Sequence, residues 1–168
     1  LKQGSEELGG KPVVKRAVIV CPTSLVGNWD SECDKWLKGK VRVLALAESK
    51  RDDVVMGIDQ FLSPRRPYDV LIVSYETFRI HTKKFKREGS LDLLICDEAH
   101  RLKNDATLTN QALGELPCKR RVLLSGTPMQ NHLDEFYAMV NFTNPGVLGT
   151  PSHFRKHFEL PVLAGRQP

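Results

Sequence analysis

Leu93-Leu94-Ile95-Cys96-Asp97-Glu98-Ala99-His100 is a short apolar run that ends in two adjacent carboxylates. Its first four residues show no polar alternation, which suits a strand covered on both faces in a parallel sheet. Working outward, runs of the same kind predict strands over Ala17–Cys21, Val41–Ala45, Val70–Ser74 and Val122–Ser125. Helical periodicity lies between them. Leu25, Trp29, Cys33, Trp36 and Leu37 share one stripe, as do Val54, Val55, Ile58, Phe61 and Leu62, and then Leu108, Ala112, Leu113 and Leu116. Ser24 is placed to cap the first of these helices, and Asp105 or Thr107 the third. Strand–helix alternation predicts an α/β three-layer domain, in which ligands bind at the carboxyl ends of the strands. Ser63–Pro67 and Lys83–Ser90 read as exposed loops. The pattern changes after Asn144-Pro145-Gly146, and Pro151–Leu163 reads as a further subelement.

The 168 residues suffice for one domain with a core, and the net charge of +5 leans mildly towards a polyanionic partner. No apolar run approaches the roughly 18 residues of a membrane span, and the chain begins at Leu1 without a signal pattern, as an excised piece would. Cys21, Cys33, Cys96 and Cys118 lack metal-ligand spacing and read as reduced thiols of an intracellular protein. Trp29 and Trp36 read as core anchors.

The chemistry gathers at strand ends. A strand-end Asp followed by a second carboxylate is the arrangement in which the first group, Asp97, holds a magnesium ion on nucleotide phosphates through water. The second, Glu98, orients or deprotonates an attacking water. A plain acidic turn is the competing reading of the same residues. One strand–helix unit later, Val122-Leu123-Leu124-Ser125-Gly126-Thr127-Pro128-Met129-Gln130-Asn131 runs a strand into hydroxyl and amide groups suited to relaying hydrogen bonds. Val18-Ile19-Val20-Cys21-Pro22-Thr23-Ser24-Leu25 brings Thr23 and Ser24 to a helix start, where exposed N–H groups grip phosphate. Ser74, before Tyr75-Glu76, repeats that layout. Lys83–Arg87 and Lys119-Arg120-Arg121 are basic runs that read as solvated loops. The sequence contains no G-x-x-x-x-G-K-[ST] phosphate loop.

Pro22-Thr23-Ser24-Leu25, Ser74-Tyr75-Glu76, Asp97–Asn104 and Ser125–Asn131 resemble, in order, motifs Ia, Ib, II and III of the SWI/SNF-type branch of superfamily-two helicases. Arg101-Leu102-Lys103-Asn104 is an extension particular to that branch. The tail Asn141–Gly149 with His157–Val162 is similar to the Rad-fifty-four group of recombination-repair translocases. Ala99 stands where many of that group carry Gly, and His132 where an acidic residue is common.

The resemblance implies a RecA-like lobe of the P-loop NTPase class over residues 1–144, incomplete at its N-terminus, and the start of a helical insertion over 145–168. It implies ATP and magnesium, with Asp97 and Glu98 catalytic. His100, Ser125, Thr127 and Gln130 would couple nucleotide state to DNA, and Thr23, Ser24, Ser74, Lys103 and Asn104 would touch it. It further implies an ATP-hydrolysing translocase on double-stranded DNA in the nucleus, no membrane, a RecA-like recombinase filament as partner and nucleosomes as further targets. Without the phosphate loop the chain by itself would be inactive. A nucleosome remodeller of another subgroup, or a non-catalytic DNA-binding module with a motor fold, are the alternatives.

Overall fold

A computed structural model describes residue 4 and residues 9–47, 50–102, 108–126 and 133–165; the side chains of His100 and Arg101 lie outside that description. Five strands form one sheet: β1 (Ala17–Cys21), β2 (Val43–Leu46), β3 (Val70–Ser74), β4 (Leu93–Cys96) and β5 (Arg120–Leu123). Their order is β2-β3-β1-β4-β5, and all four pairings are parallel. In β1 and β3 every residue is buried, as continuous apolar runs in a doubly covered sheet require.

The helices α1 (Val26–Leu37), α2 (Arg51–Leu62), α3 (Tyr75–His81), α4 (Leu108–Gly114) and α5 (Leu133–Thr143) fill the connections. Two apolar clusters cover the two sheet faces. On one, Val18, Val20, Leu71, Val73 and Leu94 meet Val54, Ile58 and Phe61 of α2, Phe78 of α3, Leu113 of α4 and Phe142 of α5. Each fully buried side chain of this kind contributes about 1.5–3 kcal/mol. Gly57 lets α2 lie close on β2, since a Cβ there would meet Leu46 Cδ2 at 2.9 Å. On the other face Ala17, Ile19, Cys21, Val70 and Ile72 meet Val26, Trp29 and Cys33 of α1. The sheet thus lies between helices on both sides, as the strand–helix alternation predicts.

Several expectations are corrected. Trp36 is no core anchor: it is 70% exposed and donates its indole N–H to Glu32 Oε2 at 2.6 Å. Ser24 does not cap α1, because a 3-10 turn over Thr23–Leu25 leads straight into the helix and no side chain caps it. Lys83–Ser90 is not simply a solvated loop. Its first residues turn as a 3-10 helix that buries Phe85 against Phe78 (ring centroids 4.7 Å apart), and buried Ser90 donates its hydroxyl to Phe85 O at 2.6 Å. Arg121 is likewise structural. Its guanidinium donates to the carbonyls of Gly114, Leu116, Cys118 and Phe142 and lies 4.7 Å from the Phe142 ring centroid, tying α4, β5 and α5 together. α3 and α5 were not anticipated by periodicity. The proposed caps Asp105 and Thr107 lie outside the described residues.

The final segment is helical. Thr150 caps α6 (Pro151–Phe154), its hydroxyl accepting the His153 N–H at 3.2 Å, and a π-helical turn leads into α7 (Leu160–Ala164). Tyr137 of α5 holds the start of this segment by donating its hydroxyl to Gly149 O at 2.8 Å. All four cysteines are free thiols, and Cys21, Cys96 and Cys118 are buried. No helix among the described residues is long and apolar enough to cross a membrane.

Candidate functional site at the carboxyl edge of the sheet

The parallel register sets Cys21 opposite Ser74, Val20 opposite Cys96, and Cys96 opposite Leu123. The segments that follow β1, β3, β4 and β5 therefore leave from one edge. Thr23 and Ser24, Tyr75, Asp97 and Glu98, and Ser125 all belong to those segments.

Asp97 is the most constrained residue there. Its N–H donates to Val20 O at 2.9 Å, which extends the sheet pairing one residue past β4. Its Oδ2 accepts the indole N–H of Trp29 at 2.8 Å, and its Oδ1 accepts the Glu98 N–H at 2.8 Å. Its carbonyl accepts the buried Tyr75 hydroxyl at 2.8 Å. The carboxylate is thus held from α1 and from its own turn, and its backbone from α3. Burial pushes the Tyr75 hydroxyl pKa up, with Cys96 and Asp97 adding to the effect, so Tyr75 stays a donor. Burial likewise pushes the Cys21 thiol up to about 12, with Asp97 adding to the shift, which leaves that thiol neutral beside the site.

Glu98 sits at φ 53°, in the left-handed region uncommon for a residue with a Cβ. Strain of this kind costs on the order of 1–3 kcal/mol and persists where surrounding contacts enforce it. Here the enforcing contacts are the Asp97 bonds on one side and Ala99 on the other. Ala99 is fully buried and donates its N–H to Leu124 O at 2.9 Å. The chain then forms a 3-10 turn over Ala99–Leu102, anchored where buried Asn110 donates its amide to Leu102 O at 2.6 Å.

Thr23 and Ser24 are exposed, as a phosphate-facing role requires. Ser74 is 5% exposed; its Oγ accepts the Thr77 N–H at 3.1 Å and donates to Thr77 Oγ1 at 3.0 Å, capping α3. His100 lies in the 3-10 turn by its backbone. Ser125 follows β5 at the same edge and lines a shallow hollow of about 280 Å³ with Phe136 and Val140 of α5. Lys103, Asn104, Thr127 and Gln130 lie outside the described residues. Sequence reading missed the roles of Trp29 and Tyr75. Both adjoin quoted motifs, but nothing in their spacing announces a bond to Asp97, 68 and 22 residues away.

A magnesium ion suits this donor set. Each Asp97 oxygen uses one of its two acceptor positions on an N–H of the described residues, and the second could accept from a metal-bound water. No cluster of three or more His, Cys, Asp or Glu exists among the described residues.

Comparison with known proteins gives a consistent result. The family model described as SNF2-related domain matches residues 3–167. A rice (Oryza sativa subsp. japonica) DNA repair and recombination protein RAD54 is 68% identical over 94% of this chain and 16% of that protein. The Arabidopsis thaliana protein CHROMATIN REMODELING 25 is 64% identical over 95% of this chain and 18% of that protein. A Homo sapiens RAD54-like DNA repair and recombination protein is 48% identical over 93% and 21%. The chain therefore spans about a fifth of these relatives. Among solved structures, the Sulfolobus solfataricus SWI2/SNF2 ATPase core in complex with dsDNA superposes with a TM-score of 0.70 and 28% identity, over 91% of this chain and 30% of that one.

Proposed function

The chain belongs to the SNF2-related domain family, and from that premise we propose that it forms most of the first motor lobe of a double-stranded-DNA-dependent ATPase acting in recombination and repair. The observation that carries the reading is the Asp97–Glu98 pair. It stands at the carboxyl end of β4, with the Asp97 carboxylate fixed by two N–H donors and Glu98 turned into a strained conformation beside it. A fixed carboxylate next to a second one is what phosphoryl transfer from ATP to water asks of this part of a motor.

When bound, magnesium neutralises charge on the nucleotide phosphates. Asp97 would hold that ion, and Trp29 and the Glu98 N–H aim the two Asp97 carboxylate oxygens. Glu98 orients the attacking water and accepts its proton. His100, Ser125, Thr127 and Gln130 carry nucleotide state towards DNA. Thr23 and Ser24 meet the phosphate backbone with Lys103 and Asn104, while Ser74 shapes the same edge by fixing the start of α3. Such contacts position the protein without reading sequence. The phosphate loop and second lobe belong to the remainder of the full-length protein, and residues 145–168 open a helical insertion.

The names of the similar proteins, which include DNA repair and recombination and chromatin remodelling, support a nuclear role; a RecA-like recombinase filament and nucleosomal DNA are proposed as partners from the motif resemblance alone. The test is phosphate release by the full-length protein. Duplex DNA of any sequence stimulates it, and the stimulation falls steeply as salt rises, because binding rests on counterion release. No stimulation by duplex DNA, or strong dependence on one sequence at fixed salt, would overturn the proposal.

A further inference from the structure

At the amino edge of the sheet, opposite Asp97, a concave pocket of about 580 Å³ opens between the residues just before β1, the loop from α2 to β3, and the loop that leads into β4. Strands of four or five residues separate the two edges by roughly 15 Å. Five cationic side chains line the pocket, Lys15, Arg16, Arg66, Lys84 and Arg87, against two carboxylates, Glu88 and Asp92.

The floor is Arg16. Its guanidinium donates to the carbonyls of Leu62 (3.2 Å), Ser63 (2.7 Å) and Gly89 (3.2 Å), so its position is fixed by backbone on both sides. Among the described residues no carboxylate bonds to that guanidinium. Asp92 Oδ2 instead accepts the backbone N–H groups of Lys15 (2.8 Å) and Arg16 (3.0 Å). Arg16 Nε is buried with no hydrogen-bond partner among the described residues. Lys84 is set against Asp59. Arg66 and Arg87 are exposed and make no ion pair among the described residues. They stand near enough to Arg16 that burial first, and then their charges, lower its pKa, with only Asp92 opposing. Arg66 is held there with its backbone at φ 47°, closed by its N–H bonding to Ser63 O at 3.0 Å.

Three guanidinium groups converging on one hollow, none with a carboxylate hydrogen-bonded to it among the described residues, leave a repulsion that a multivalent anion would relieve. Guanidinium forks match phosphate oxygens bidentately. The volume is that of a small-molecule site rather than a flat surface. We propose that this pocket binds a compact polyphosphate anion, with Arg66 and Arg87 gripping phosphoryl groups above Arg16.

The test is calorimetric titration of the full-length protein with sodium tripolyphosphate at fixed salt, free of magnesium and with chelator present. The wild-type protein and the R66A/R87A variant are compared. Both side chains are exposed, and R87Q alone serves should the double variant melt early. The expected result is a site that the double variant weakens at least tenfold, and that R66K/R87K, which keeps the charge without the fork, restores only in part. Equal binding by wild-type and R66A/R87A would locate the anion elsewhere, at the nucleotide edge for example, and overturn the proposal. So would absence of binding. Loss of affinity for a short duplex DNA without loss for tripolyphosphate would make the surface a DNA contact and overturn it as well.

Discussion

Replacing Trp29 by Phe removes the indole N–H that Asp97 Oδ2 accepts at 2.8 Å, together with the five-membered ring that carries it. An aromatic ring, though a smaller one, still packs α1 on the sheet, and a double-mutant cycle separates the lost packing from the lost bond. A hydrogen bond to a charged group contributes about 1.5–3 kcal/mol in mutational series. Trp29 and Asp97 are both half-buried, so water can partly replace the lost donor, and a loss of about 1–2 kcal/mol is expected. For a chain of this size that corresponds to a melting temperature lower by roughly 2–8 °C. The contribution of the bond itself follows from a double-mutant cycle of Trp29→Phe, Asp97→Ala and the pair, read by thermal or urea unfolding. A coupling of about 1–2 kcal/mol is expected. In the full-length protein the same Trp29→Phe change should lower turnover about tenfold, since about 1.4 kcal/mol of positioning is a factor of ten. A coupling within about 0.3 kcal/mol of zero, with unchanged turnover, would refute the claim that Trp29 positions Asp97.

The isolated chain should not hydrolyse ATP, and its magnesium–nucleotide affinity should be no tighter than about 1 mM, or −4.1 kcal/mol. DNA-stimulated phosphate release from the purified chain would contradict this. Alkaline pH should destabilise the fold. Burial raises the Cys21 and Cys96 thiols from 9.0 to about 12, so the unfolded chain ionises first and stability falls as pH climbs from about 9 towards 12. The slope reaches about 1.4 kcal/mol per pH unit for each thiol, and urea midpoints at pH 8 and pH 10.5 should differ accordingly. His100→Ala or Gln130→Ala in the full-length protein should lower duplex-stimulated ATPase by a coupling of about 1–3 kcal/mol while sparing nucleotide affinity. Equal loss of basal and stimulated rates would assign both residues to the hydrolytic site instead.

The strands legible in the sequence were those made of nearly uninterrupted apolar runs, with β1 and β3 buried at every residue and β4 at alternate ones. β1, β3 and β4 match their apolar runs residue for residue, because a doubly covered parallel strand has no polar position to blur its ends. β2 and β5 were misplaced by a few residues. β5 begins at Arg120-Arg121, where backbone pairing with Leu93-Leu94 overrides charge and Arg121 satisfies itself on carbonyls. Trp36 followed the helical stripe in the sequence yet lies exposed, because among the described residues α1 is the one helix packed on its face of the sheet, and Val122, opposite Ile95 on β5, is 40% exposed.

The site was legible in part for the same reason. Asp97 and Glu98 are neighbours in sequence and stand at the end of a readable strand. The bonds from Trp29 and Tyr75 depend on how α1 and α3 cross the sheet edge, and no local pattern encodes that crossing. The left-handed backbone of Glu98 is equally silent in sequence, since Glu carries no conformational preference for it.

The central claim is that Glu98 acts on the attacking water while Asp97 holds the metal. Single-turnover and steady-state ATPase of full-length Glu98→Gln, with nucleotide affinity measured alongside, tests it most directly. Turnover should fall by about 10²–10⁴-fold, the contribution of a positioned base, with nucleotide affinity largely intact. Normal duplex-stimulated turnover in Glu98→Gln, or collapse of nucleotide affinity with it, would contradict the assignment.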